Sequence, residues 1–375
     1  MKKTLICVDN IGIMMTNFSQ TKNIIVSIQK SNYQNLDVEL LLKPLGSFKK
    51  YIKKGEQVLL KANLLTATAP EKTVVTHPAI IGAVAKAVLK VGGTPIIGDS
   101  PSGQFTKRRL KKVYNRTGLI DLSKELGMEL NYDTNYKEVT IPNGKKLEKA
   151  LICSFVLNAD KVIALPKVKT HSLMMMTLAT KIMYGAVPGL TKVRYHSKFI
   201  RRKAFADMLL DILSVTTPNL VIMDGVVGMQ GDGPMGGTPV ELGVVLASDN
   251  SVALDIAVCK MLDIEPTGIP TLKQAKLRNL WPDEINYPLL SPEDVEYKGF
   301  ILPSTAGYLL TGKKKPKRSP VIKDKCTACK QCVEICTEKA IKITDNKARI
   351  DYSKCIKCYC CHEVCTYDAI KLEVV

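Results

Sequence analysis

Nine of the chain's twelve cysteines lie between residues 326 and 365, and eight of them fall into two copies of one spacing. Cys326, Cys329, Cys332 and Cys336 follow C-x2-C-x2-C-x3-C, and Cys355, Cys358, Cys361 and Cys365 repeat it. The segments CTACKQCVEICTEKAIKI and CIKCYCCHEVCTYDAIKL agree at nine of 18 positions, so this stretch is a duplicated cysteine-plus-helix unit. Thiolates are soft ligands, and this spacing suits iron–sulfur clusters. A tight loop lets three thiolates wrap one corner of a cubane. The fourth enters a helix and points at the other cluster. Two [4Fe–4S] clusters are expected, one on Cys326, Cys329, Cys332 and Cys365, the other on Cys355, Cys358, Cys361 and Cys336. Paired C-x2-C zinc sites do not need a third cysteine at this offset. The proline usual after the fourth cysteine is replaced by Thr337 and Thr366, and Cys360 reads as a bystander beside Cys361. Cys7, Cys153 and Cys259 sit in apolar stretches and read as packing residues.

At 375 residues the chain exceeds one compact core, so two or three domains are expected. Residues 1–300 alternate strand-like and helical runs, which predicts an α/β domain with a mostly parallel sheet and flanking helices. Gln57–Ala62, then a helix over His77–Val91 stopped at Gly92-Gly93, then Thr94–Gly98 make a βαβ unit. Lys161–Leu165, Leu220–Met223 and Val240–Leu246 read as further strands, and Ala204–Leu213 and Val252–Leu262 as helices. Residues 105–127 look helical and basic, while the proline-rich residues 265–300 show little periodicity. Residues 301–320 read as a basic linker, ending in TGKKKPKRSP. Residues 321–375 form a small α+β unit, too short for a large apolar core without a metal staple.

The formal charge is +19. Residues from Val321 onward hold ten basic and eight acidic side chains, so +17 belongs to the rest. Basic runs occur at Lys49–Lys54, Lys107–Lys112, Lys198–Lys203 and Lys313–Arg318. Such charge steers acidic partners, small anions or nucleic acid toward the surface. Aromatic residues are only 6% and do not interleave with these runs, which disfavours base stacking on a single strand. No run of about 18 apolar residues predicts a membrane span. The opening MKKTLICVDNIG breaks its apolar run at Asp9 and does not read as a secretory signal, so a cytoplasmic setting is expected.

The C-terminal segment resembles a two-cluster bacterial-type ferredoxin, which implies one-electron transfer at low potential. The larger domain carries KANLL (61–65), GGTPIIGDSPSG (92–103), ADKVIALPKVKTH (159–171), KIMYGAVPG (181–189) and MDGVVGMQGDGPMGGTP (223–239). In this order the segments resemble the domain of unknown function 362 family over about residues 55–262. That family often carries a C-terminal ferredoxin module, and the resemblance implies a class without a reaction. Residues at the carboxyl ends of parallel strands converge on a ligand crevice. Placed after strands, Lys61, Asn63, Asp99, Lys167, Gly231 and Gly233 are candidates to line it, with His171, Lys169 and Asp224 the catalytic candidates. His171 suits acid–base work, the lysines suit a carboxylate or phosphate, and the aspartates suit a metal or a lysine. The G-x-G-x-x-G match at Gly231–Gly236 is followed by a strand-like run and not a helix, so it is set aside as a nucleotide fingerprint. The Gly307–Lys313 match to a P-loop lacks the Ser/Thr after its lysine.

These features favour an iron–sulfur oxidoreductase that takes electrons from an external redox protein and reduces a small anionic substrate or second cofactor. The alternatives are a non-catalytic ferredoxin-like carrier with a partner-docking domain, and a nucleic-acid-binding protein with structural clusters.

Overall fold

A computed structural model of the chain describes residues 23–307 and 318–374. The readings of the opening segment, of Cys7 and of the basic run before Arg318 lie outside those residues. Nine strands build the central sheet: β1 (Ser27–Lys30), β2 (Gln57–Ala62), β3 (Thr94–Gly98), β4 (Glu129–Leu130), β5 (Lys161–Leu165), β6 (Lys167–His171), β7 (Met175–Met176), β8 (Leu220–Asp232) and β9 (Gly236–Ser248). Their order is β7-β6-β8-β5-β2-β3-β4, with β9 pairing β8 and β1. The β2–β3, β2–β5, β3–β4, β5–β8 and β6–β8 pairs are parallel; the β8–β9, β9–β1 and β6–β7 pairs are antiparallel.

Alternation along the central strands sends side chains into two apolar cores. Leu59, Val162, Ala164, Val221 and Met223 join one; Val58, Leu60, Ile163, Leu165, Leu220 and Ile222 join the other. Both faces of the sheet are covered, as a parallel sheet with crossover helices requires. The first crossover helix, Pro78–Lys90, starts with a proline whose missing N–H costs nothing there, and His77 Nδ1 accepts from Ala79 N. It buries Ile80, Ile81, Val84, Ala85 and Val88. It ends where Gly92 takes φ +85°, a left-handed turn that side chains resist.

Three elements differ from the sequence reading. The strand expected at Leu220–Met223 runs on to Asp232, because its hairpin with β9 carries the ladder through a bulge between Gly225 and Val227. Asp224 therefore lies within a strand and not beyond its end. Lys167–His171, expected to follow the end of a strand, is itself a strand, separated from β5 by Pro166. Residues 265–300 contain one α-helix, Pro270–Leu277, and Arg278 at its end anchors to Asp207 and Asp211 at 2.8 Å each.

The C-terminal unit pairs β10 (Arg318–Ile322) with β13 (Ile370–Val374) and β11 (Ile341–Thr344) with β12 (Lys347–Ile350). Arg318–Pro320, read as the end of a linker, begin the first of these strands. Positive φ at Ala328, Lys330 and Lys339 recurs at Lys357, Tyr359 and Asp368, the same offset that relates the two cysteine runs. The duplication is thus one of backbone shape as well as of sequence. The two units are docked. Val193 packs with Ile335, Cys360 and Val364, and His362 Nε2 lies 3.1 Å from Asp232 O.

Candidate active site

The strands β2 and β3 lie side by side, and their ends deliver a buried ion pair. Lys61 Nζ stands 2.8 Å from Asp99 Oδ1 and also donates to Ala62 O. Asp99 accepts from the backbone N–H groups of Ser100 (2.8 Å) and Leu64 (2.7 Å). A Cβ added at Gly185 would overlap both Asp99 Oδ1 and Lys61 Nζ, so only glycine lets that turn approach. In β6, period-two alternation places Lys167, Lys169 and His171 on one face. Lys169 Nζ donates to Asn63 Oδ1 at 2.9 Å and to Val74 O at 2.6 Å.

Two helices complete the large unit's side. Buried Asp255 accepts from Ala179 N, Thr180 N and Thr180 Oγ1 at 2.7–2.9 Å and so fixes the start of the helix Leu178–Ile182, which carries Lys181. The helix Gly189–Lys198 presents Lys192 and His196 four residues apart, on one face. Lys192 Nζ donates to Ser100 O, to Ser100 Oγ (3.1 Å) and to Val187 O (3.1 Å).

These side chains line a cavity of about 70 Å³. Lys61, Asn63, Asp99, Lys169, His171, Lys181, Lys192 and His196 come from the α/β unit, and Pro234 enters from the β8–β9 turn. The remaining wall, Ile335, Cys360, Glu363 and Val364, belongs to the C-terminal unit. Burial governs the charges here. It pulls Lys169 down to about 7, helped by Lys181 and Lys167, and Lys192 down to about 8. It holds His171 well below its ordinary range and His196 at about 3, so both imidazoles are neutral. Burial pushes Glu363 up to about 7 against the pull of Lys181.

Of the residues singled out from sequence, Lys61, Asn63, Asp99, Lys169 and His171 meet at this cavity. Lys167 and Asp224 do not line it. They form their own fully buried pair at 2.7 Å, closed off by Tyr33 Oη and by His77 N, with the Tyr33 and His77 rings stacked at 3.7 Å. Both oxygens of Asp224 are engaged, so the catalytic role expected of it has no place in this geometry. Gly231 and Gly233 also stand away from the cavity. Gly231 N donates to Ile301 O, and Gly233 packs on Thr170, where any Cβ would collide. Sequence reasoning passed over Lys192, His196, Glu363 and Cys360. The i,i+4 spacing of Lys192 and His196 was the one available signal.

The cysteines of the described residues are free thiols. Cys326, Cys329, Cys332 and Cys365 line one small cavity; Cys336, Cys355, Cys358 and Cys361 line another. Backbone N–H groups of Ala348, Ala340 and Ala369 point at the sulfurs of Cys326, Cys336 and Cys365 at 3.2–3.4 Å. Two quartets of soft donors, each around a hollow and supported by N–H groups, fit iron–sulfur clusters. Cys360 lines the second hollow and the lysine-lined cavity alike.

His171, His196 and Glu363 bring three ligand-type atoms within 4.8 Å of one another. His196 has the tautomer of a metal ligand, since Nδ1 donates to Lys192 O at 2.9 Å and leaves Nε2 bare. His171 has the opposite one. Its Nδ1 accepts from Leu173 N and Met174 N, so the proton sits on Nε2 and faces the cavity. A divalent cation there would meet an N–H and the nearby Lys169, Lys181 and Lys192 side chains, so the surroundings suit an anion better.

An α/β unit with a mostly parallel sheet, docked on a small unit of duplicated cysteine quartets, defines an iron–sulfur protein. Residues 58–260 match the family described as Domain of unknown function (DUF362), and residues 348–371 match the 4Fe-4S binding domain. Thylakoid-associated protein sll1697 of Synechocystis sp. (strain ATCC 27184 / PCC 6803 / Kazusa) is 33% identical over 266 residues, 70% of this chain and 81% of that protein. The lactate racemase apoprotein from Thermoanaerobacterium thermosaccharolyticum is a structural neighbour at TM-score 0.38 and 15% identity, covering 60% of this chain and 54%, about half, of its own. The chain belongs to the DUF362 family and carries a 4Fe–4S binding domain. Among the described residues no helix is long and apolar enough to cross a membrane.

Proposed function

We propose that the protein is an oxidoreductase in which a two-cluster C-terminal unit serves a small anionic substrate held in the lysine-lined cavity. One cluster belongs to Cys326, Cys329, Cys332 and Cys365, the other to Cys355, Cys358, Cys361 and Cys336. When bound, such clusters supply one-electron transfer at low potential. The observation that carries the reading is the shared wall: Cys360 lies between the second quartet's hollow and the cavity that holds Lys169, Lys181 and His171. A carrier with a passive docking platform has no need of a polar cavity at that place. Cys329 is the exposed member of the first quartet, which supports an external redox protein approaching from that side. Within the cavity, the lysines orient and neutralise the substrate, and Glu363 stands beside it as a group able to hold a proton.

The test is anaerobic purification with iron and sulfide analysis and EPR spectra after dithionite. About eight irons and two interacting reducible centres are expected. Cys326→Ser and Cys355→Ser should each lower the iron content by about half. Zinc in place of iron, or centres that stay silent to dithionite, would remove the redox reading.

A further inference from the structure

We infer that the cavity between the two units binds a small oxyanion that carries one hydrogen-bond donor of its own. Bicarbonate is the simplest member of that class. This rests on the reading of the cavity as a substrate site and goes further, because it fixes the ligand's charge, size and hydrogen-bonding pattern.

Charge comes first. Four lysine side chains line the cavity against two carboxylates, Asp99 and Glu363. Lys61 is matched by Asp99 at 2.8 Å. Lys192 spends its donors on Ser100 and Val187 oxygens, none of them charged. Lys169 spends two of its three on Asn63 Oδ1 and Val74 O. Lys181, part-buried, makes no hydrogen bond among the described residues; its Nζ lies 5.6 Å from the Tyr184 ring centroid and is attracted by Glu363, so that Glu363 alone faces three lysines. Buried charge calls for a partner. An anion supplies it, and a cation does not.

The donors and acceptors then restrict which anion. Lys181 Nζ, the remaining N–H of Lys169 and the Nε2–H of His171 all donate. His171 Nε2 lies 3.3 Å from Glu363 Oε1, yet no hydrogen bond satisfies it. On the other side His196 Nε2 is a bare acceptor, buried and unpartnered, 3.8 Å from Glu363 Oε2. An anion without hydrogen, such as nitrate, satisfies the donors and leaves His196 unsatisfied. An anion with an O–H satisfies both. Size closes the argument: an apolar cavity of about 150 Å³ takes benzene, so about 70 Å³ takes a ligand of roughly three to five heavy atoms.

Bicarbonate and nitrate have nearly the same shape and differ in the hydrogen, so calorimetric titration of the iron-replete full-length protein with each, without oxygen and in low chloride, tests the inference. Saturable binding of bicarbonate at one per chain is expected, tighter than nitrate. Lys181→Met should weaken both by about tenfold or more, the effect of losing one charge-assisted contact. His196→Leu should weaken bicarbonate and leave nitrate unchanged. Iron content and the dithionite EPR spectrum of each variant report whether it has folded. If His196→Leu does not fold, the native bicarbonate-to-nitrate preference carries the test alone. No saturable binding of either anion, binding indifferent to Lys181, or equal affinity for the two would overturn the inference. So would zinc binding at one per chain that displaces bicarbonate and is lost in His196→Leu. Centres that refuse electrons would remove the oxidoreductase reading while the titration stood, so the two can fail separately.

Discussion

Gly185 offers a test whose sign differs between two lines of reasoning. Its backbone is not in the left-handed region, so on conformational grounds alanine there restricts the unfolded chain and adds about 0.4–1 kcal/mol. The site predicts the reverse. The added methyl would overlap Asp99 Oδ1 and Lys61 Nζ and stand 2.8 Å from Lys61 Cε. The pair cannot retreat easily. Asp99 is pinned by Ser100 N and Leu64 N, and Ser100 N also donates to Gly185 O at 3.1 Å. Overpacking alone costs about 1–3 kcal/mol. Prising apart a buried ion pair costs about 3–5 kcal/mol, because each charge is left unmatched. Gly185→Ala should therefore lower stability by about 3 kcal/mol or more. Urea denaturation of the anaerobic holoprotein, followed by far-UV circular dichroism, measures it. A midpoint equal to or above that of the native protein would refute the reasoning, since it would mean the turn and the pair are not in contact.

Asp255→Ala strands three donors at the start of the helix that carries Lys181. It should cost about 2–4 kcal/mol in the same denaturation experiment, with Asp255→Asn costing less. Lys167→Met leaves Asp224 charged and buried among Tyr33 and His77 and should cost about 3–5 kcal/mol, while iron content is unchanged. Lys169, held down to about 7 by burial with Lys181 and Lys167 nearby and Asp99 and Glu363 opposing, gives a pH signature. Above that value the unfolded chain keeps a proton the folded one has lost, so this residue makes stability rise with pH until its unfolded value near 10. Denaturation midpoints between pH 7 and 9 should rise less steeply in Lys169→Met than in the native protein; parallel profiles would contradict the assignment.

Much of this architecture was legible from the chain because it rests on short-range rules. The βαβ unit announced itself through Val, Leu and Ile runs, a proline at a helix start and a double glycine at its end. The cysteine spacing spoke for itself, and its backbone echo from Ala328 to Lys357 follows from the same duplication. What was missed has a common cause. In K-V-K-T-H the period of two was present, but inverted: the polar side chains of Lys169 and His171 point inward and Val168 packs in the core on the other face. Asp224 looked like a strand-end residue because the apolar run stopped before it, whereas the strand continued on hairpin pairing alone. Glu363 and Cys360 gave no local signal, since their role depends on a contact between units more than 100 residues apart in sequence, such as that of Glu363 with His171 and His196.

The division of the cavity between two units also fixes a sequence of events during synthesis. The floor, with its lysines and histidines, is complete once the sheet strands to Ser248 and the supporting Asp255 have emerged, while the wall bearing Ile335, Cys360 and Glu363 is translated later. Until the C-terminal unit has docked, the lysine-bearing floor lacks that wall. Docking of the C-terminal unit is thus the step that completes the chamber.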